Sequence, residues 1–279
     1  MKIWSVWLQG RQNAPKQVQQ IFELWEKLNP SAEFTVLEKD QVEAILVEVG
    51  AEFSRMTPQV KANITRTYLL AKYGGAWVDS TLLPTKPLDQ WLTPELRREG
   101  FFAFRSTGRP ELILQNWFLY ADKDNILIKK WLDFYSEYFK ITRFPPNSRR
   151  IFTSLHWLDY FRFLSAERRR DSLYFVDPQR GRACRMYPYA LHNFSLAYLL
   201  QTDDRLAEIW RNVPVRFHIQ PVMIGHCARD EETPDDTFLR LALDMLPSSP
   251  VHKLNHRDPR FVKLIDHGKS EGLIQVFDY

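Results

Sequence analysis

The sequence predicts an α/β fold, with strands and helices alternating around one sheet and a helical insertion in the second half. Two observations carry this. Over the first 80 residues, runs rich in Ile, Val and Trp alternate with runs of helical periodicity, in the order β-α-β-α-α-β. The best-marked helix, beginning at Thr57-Pro58, ends at a glycine pair, Gly74-Gly75. The 279 residues are 44% apolar and 26% charged, which excludes a disordered or fibrous chain and allows a sizeable core.

Each element has its own signal. Lys2 to Leu8 reads as a buried strand and Gly10 to Ala14 as a loop. Pro15 suits a first helical turn, and Val18, Ile21, Phe22, Trp25 and Leu28 then give one apolar face. Asn29-Pro30 stops that helix, and Phe34 to Leu37 reads as the second strand. Asp40 is the expected cap of a short helix carrying Val42, Ile45, Leu46 and Val49. Thr57 is the expected N-cap of the next, with Pro58 at its first position and Gly74 in the left-handed position at its end. Ala76-Trp77-Val78 is a short buried strand, followed by Asp79-Ser80-Thr81. Beyond it, strands are expected at Phe101–Phe104 and Val215–Ile219, and helices at Ile126–Phe139, Phe152–Phe163 and Asp203–Trp210. Gln115-Asn116-Trp117 reads as a helix start with a core Trp, or else as part of a ligand pocket, and the helical spacing of Trp157, Tyr160 and Phe161 points to core packing. With no repeat or flexible linker, 1–279 reads as a single domain.

Composition bounds the function. The two cysteines, Cys184 and Cys227, imply neither a disulfide framework nor a Cys-rich zinc site. No apolar run is long enough to span a bilayer and the N-terminus lacks the pattern of a signal peptide, so an intracellular, soluble enzyme is expected. The net charge of +4 is uneven: Arg143 to Arg185 holds ten Arg, no Lys and four acids. That stretch is either a solvated face or a surface for anionic lipid or an anionic acceptor. No nucleic-acid-binding signature accompanies it, so no nucleic acid is expected.

The chemistry gathers between Thr57 and Pro87. In open α/β sheets, ligands sit beyond the carboxyl ends of strands. Asp79 lies there, and with the Thr81 hydroxyl it could offer oxygen ligands to Mg²⁺ or Mn²⁺. Asn63 and Arg66, three apart on the preceding helix, can read sugar hydroxyls or phosphate oxygens. Spacing alone leaves open a plainer alternative, in which Asp79 caps a turn and Arg66 makes a surface ion pair.

Lys61 to Leu88, KANITRTYLLAKYGGAWVDSTLLPTKPL, resembles the signature of the capsular-polysaccharide-synthesis and sugar-binding D-x-D glycosyltransferases, GT-A-fold retaining enzymes related to family 32. KIWSVWLQG at the N-terminus and SPVHKLNHR (249–257) agree with it. The resemblance implies a Rossmann-type nucleotide-sugar-binding core over 1–100, and an acceptor-side and C-terminal part over 101–279. It implies that Trp7 and Gln9 meet the nucleotide, that Arg66 contacts donor sugar or diphosphate, and that Gly74 and Gly75 form the motif's turn. It implies a divalent metal, Mn²⁺ or Mg²⁺, on Asp79 and Thr81. Asn63 stands where the pattern usually has Asp, and Thr81 replaces a second carboxylate, so His252 is the first candidate for an added ligand, with Lys253 on the leaving diphosphate. His267-Gly268-Lys269 is a second candidate. The activity implied is retaining transfer of a hexose from a nucleotide sugar, a UDP-sugar first, to a polysaccharide or glycolipid at the cytoplasmic membrane face. A toxin-like protein glycosyltransferase and a catalytically degenerate nucleotide-sugar-binding protein are the alternatives.

Overall fold

The computed structural model describes residues 1–146, 157–230 and 232–275. It opens with β1 (Lys2–Val6), α1 (Lys16–Leu28), β2 (Glu33–Leu37), α2 (Lys39–Glu48), α3 (Pro58–Tyr73) and β3 (Gly75–Val78). There follow β4 (Leu82–Pro84), α4 (Leu88–Trp91), α5 (Pro94–Arg97), β5 (Phe101–Arg105), β6 (Leu114–Ala121) and α6 (Ile126–Tyr138). The remainder is mainly helical: α7 (Trp157–Arg168), α8 (Leu191–Thr202), α9 (Asp204–Asn212), α10 (Ile219–Cys227), α11 (Asp235–Met245), then β7 (Val251–Lys253) and α12 (Arg260–Ser270).

The expected α/β architecture is present. A five-stranded sheet has the order β2-β1-β3-β6-β5. β1 runs parallel to β2 and β3, whereas β6 runs antiparallel to β3 and β5. The parallel half therefore brings the carboxyl ends of β1 and β3 to one edge. β4 and β7 form a separate antiparallel pair, with Leu82 opposite Lys253.

Strand alternation explains how the sheet is covered on both sides. Trp4, Trp77, Leu119, Phe101 and Ala103 face a core shared with α2, α3, α6 and α8. Their neighbours Ile3, Ala76, Val78, Phe118, Phe102 and Phe104 face a second core shared with α1, α11 and α12. Successive strand residues point to opposite faces, so near-continuous apolar strands require both cores. The expected face of α1 is fully used, since Val18, Ile21, Phe22, Trp25 and Leu28 are all buried. Trp25 also donates its indole N–H to the Leu82 carbonyl at 2.8 Å, which ties α1 to β4.

Local signals set most boundaries. The Thr57 hydroxyl accepts from the Val60 amide at 3.4 Å, Pro58 is the first residue of α3, and Gly74 ends it at φ 69°. Four expectations fail. Glu38, not Asp40, caps α2, through a reciprocal capping box with Gln41. Val215–Ile219 is not a strand: it makes one bridge, Phe217 to Arg105, before α10 begins, and Val215 and Phe217 are exposed. Gln115-Asn116-Trp117, whose plainer reading is a helix start, lies inside β6. Phe152–Phe163 lies partly outside the described residues; its described part, 157–163, is helical as expected within α7, but Trp157 and Phe161 are exposed instead of packed in the core.

Candidate functional site

The β1–β3 pairing requires a glycine at position 75. A Cβ there would stand 2.3 Å from the Lys2 carbonyl oxygen, and φ is 102°. This tight crossing delivers Asp79 just past the end of β3, where its amide donates to the Trp117 carbonyl at 2.9 Å.

Asp79 is held between two cations. Its Oδ1 lies 3.3 Å from Arg66 Nη2 and accepts from the Trp77 indole N–H at 3.0 Å. Its Oδ2 lies 3.3 Å from Lys253 Nζ. Arg66 also donates to the Asn116 carbonyl and sits 4.8 Å from the centroid of the Trp77 ring. Arg66 is 6% exposed whereas Asp79 and Lys253 are each 26% exposed, so the cluster opens on the Asp79–Lys253 side. Burial pushes the Asp79 carboxyl up, but Arg66, Lys253 and the hydrogen bonds from Trp77 and Lys253 outweigh it and hold it below the usual range. Burial lowers the Arg66 guanidinium, and Asp79 opposes that. Two cations facing one carboxylate leave a surplus positive charge at a half-open sheet edge, an arrangement suited to an anion.

The other sequence-derived residues distribute around this cluster. Trp7 follows β1 at the same carboxyl edge, and its ring stands edge-on to His256 at 5.8 Å. Its indole N–H is buried without a partner among the described residues. Gln9 is exposed, and its carbonyl accepts from Asn13 at 2.7 Å. Asn63, one turn before Arg66, is buried and its amide group donates to the Tyr135 hydroxyl at 3.4 Å. The Tyr135 ring meets His192 edge-on at 4.7 Å, and His192 stacks on Trp131 at 3.9 Å. Thr81 is buried, and its hydroxyl accepts from Lys253.

His252 does not reach the site. Alternation along β7 sends Lys253 to Asp79 and His252 to the opposite face. There His252 is fully buried and its Nε2 bonds to the Leu246 carbonyl at 2.9 Å. Burial lowers its pKa to about 4. His267 lies exposed on α12 and bonds within its own helix, to the Lys263 carbonyl.

The residues present do not fit a divalent ion. Asp79 is a single carboxylate with both oxygens engaged by cations, and Thr81 accepts from the same ammonium. Among the described residues no group of three His, Cys, Asp or Glu side chains could hold a metal.

Sequence reasoning gave Asn116 only a loose place and passed over His256 and Gly225. The Asn116 side-chain carbonyl is buried without a partner among the described residues, on the strand whose backbone Arg66 contacts. A Cβ on Gly225 would stand 2.4 Å from the Lys253 carbonyl, so this glycine lets α10 lie directly on β7.

Fold and site together define an α/β protein with a cluster of two cations and one carboxylate at the carboxyl edge of its parallel strands. The capsular polysaccharide synthesis protein family matches residues 1–156, and the chain belongs to that family. It is 26% identical over 102 residues to the Saccharomyces cerevisiae protein HOC1, which is named as a glycosyltransferase. That match covers 34% of this chain, which spans only 25% of the length of HOC1. A solved structure titled PaToxG Glycosyltransferase aligns over 76% of this chain and 74% of its own, with a TM-score of 0.36 and 14% identity.

Proposed function

We propose that this chain is a GT-A-like glycosyltransferase that moves a hexose from a nucleotide sugar, a UDP-sugar first, to a polysaccharide or glycolipid acceptor in capsule or surface-polysaccharide synthesis. The observation that carries the reading is Asp79 at the end of β3, gripped by Arg66 and Lys253 on the open edge of the sheet. Membership of the capsular family supports the process. In this reading 1–279 works as one domain, with 1–100 on the donor side and 101–279 on the acceptor side.

Transfer breaks the bond between the anomeric carbon and the phosphate oxygen. Positive charge develops on the sugar ring and negative charge on the departing diphosphate. Arg66 and Lys253 take up that negative charge, and Asp79 holds both cations in place. Trp7 offers a ring to the base, and Gln9 follows two residues on, in the loop. Asn63 and Asn116 offer amide groups to sugar hydroxyls. With retention, the acceptor hydroxyl attacks from the face the diphosphate leaves, and its proton passes to a diphosphate oxygen.

The deciding experiment is UDP release from a panel of UDP-sugars by the wild type and by Asp79→Ala. Release with one sugar, reduced at least about 100-fold in the variant, is the expected result. UDP binding without release from any sugar would support the degenerate binding protein instead, and no UDP binding would overturn the donor reading.

We also propose attachment to the anionic membrane face. Leu158 and Phe161 of α7 are exposed, and so are Arg168, Arg169 and Arg170 at its end. Part of the Arg-rich stretch is otherwise engaged: Arg143 is buried and donates to three carbonyls, and Arg180 pairs with Asp171 and Asp177. Arg149 and Arg150 lie outside the described residues. The attachment proposed is peripheral; no helix among the described residues is long and apolar enough to cross a membrane. Replacing Arg168, Arg169 and Arg170 with Ala should weaken binding to anionic vesicles; unchanged binding would overturn this proposal.

A further inference from the structure

Resting on the nucleotide-sugar reading, the geometry points to Lys253 as a built-in replacement for the divalent cation: we propose that its ammonium, with the Arg66 guanidinium, is the counter-charge of the donor diphosphate, and that donor binding and cleavage need no metal. Nζ of Lys253 lies 3.3 Å from Asp79 Oδ2 and also donates to the Thr81 hydroxyl. Those are the two oxygen groups the motif offers to an ion. A dication would compete with an ammonium and a guanidinium for the same carboxylate.

Backbone structure, not a wandering side chain, puts Lys253 there. β7 pairs with β4 so that Lys253 stands opposite Leu82, one residue after Thr81. The Leu254 amide then donates to the Thr81 carbonyl at 2.9 Å. Gly225 of α10 packs on the Lys253 carbonyl with no room for a Cβ. An ammonium has three N–H donors. Asp79 and Thr81 engage two directions, and the side chain is exposed enough for the third to meet a phosphate oxygen.

The step balances without a metal. The acceptor oxygen bonds to the anomeric carbon as that carbon's bond to the phosphate oxygen breaks. The diphosphate leaves with the electron pair, its charge facing Lys253 and Arg66, and takes the acceptor proton.

The test is calorimetric titration of UDP into the wild type after chelation with EDTA, and again with excess Mn²⁺, alongside Lys253→Met, Lys253→Arg and Lys253→Asp. Wild-type affinity should be the same with and without Mn²⁺. Lys253→Met should lose about 10- to 100-fold, and Lys253→Arg should keep most of the affinity. Lys253→Asp places a second carboxylate beside Asp79, so its UDP binding should become dependent on Mn²⁺. Wild-type binding seen only with Mn²⁺ would overturn the inference while leaving the donor reading intact, as would binding of Mn²⁺ to the wild type alone that Asp79→Asn removes. Absence of UDP binding under both conditions would overturn the donor reading, and the inference with it.

Discussion

Asp79 stays ionised because Arg66 and Lys253 compensate it, and their contributions exceed its own cost of burial. Asp79→Asn keeps the shape and the place of the Trp77 hydrogen bond but removes the charge between two cations. It leaves Arg66, only 6% exposed, without an anion, and breaking such a pair costs about 3 kcal/mol. The sign of the pH dependence follows from the lowered folded-state pKa. The carboxylate's contribution is fully present above the ordinary carboxylate range and is lost only as pH falls through the lower folded value. The difference in melting temperature between wild type and Asp79→Asn should therefore hold constant from about pH 8 to 5 and narrow only below about pH 4. A difference that shrinks already near neutrality would show that another group is the one titrating. The same variant should bind UDP no more weakly than wild type, because the site becomes more positive, while release falls because Arg66 and Lys253 lose their common anchor.

At the scale of elements, glycines decide where the site residues sit. Gly225→Ala would drive a Cβ to 2.4 Å from the Lys253 carbonyl, and the atom in the way is backbone, so α10 and β7 must separate. Expected are a loss of about 1–3 kcal/mol and weaker UDP binding from a position with no assigned ligand contact, read by urea unfolding and calorimetry. Full affinity in a folded Gly225→Ala protein would mean that Lys253 reaches the site without that packing. Gly75→Ala is harsher, because it combines φ 102° with a 2.3 Å approach to the Lys2 carbonyl, and it should impair folding outright. These devices also mark what the sequence reveals. The elements from β1 to β3 were legible because each combines an apolar period with a cap or a glycine, as α3 does between Thr57 and Gly74. Asp79 and Arg66 were legible because both lie within one short motif. Lys253 was legible only through resemblance, since its contact with Asp79 spans 174 positions of chain and depends on the pairing of two three-residue strands. His252 was misplaced because period-two alternation fixes which of two neighbours faces the site, and no local signal sets the phase of β7. β6 was missed because strand residues such as Gln115 and Asn116 are polar at the sheet edge where the site opens.

At the scale of the molecule, both faces of the sheet are buried, and each core encloses a neutral histidine. His252 lies 0% exposed on β7, with its pKa lowered to about 4. His192 lies 1% exposed against Trp131, and burial followed by the charge of Arg66 holds it well below its ordinary value. An unfolded chain protonates both near pH 6.5, whereas the folded chain refuses the protons until a lower pH. Stability is therefore greatest above about pH 6.5 and falls as pH drops toward each folded value, by up to about 1.4 kcal/mol per pH unit for each histidine. For His252, the interval from 6.5 to about 4 amounts to a loss of about 3 kcal/mol. Acid destabilisation should thus begin near pH 6.5, well before the carboxylates titrate. His252→Gln retains an N–H donor for the Leu246 carbonyl but cannot take up a proton. The variant should start less stable at pH 8 and lose less stability between pH 6.5 and 4.5 than wild type. Parallel stability curves for the two proteins across that interval, measured by urea unfolding, would show that His252 takes up its proton as readily in the folded chain as in the unfolded one.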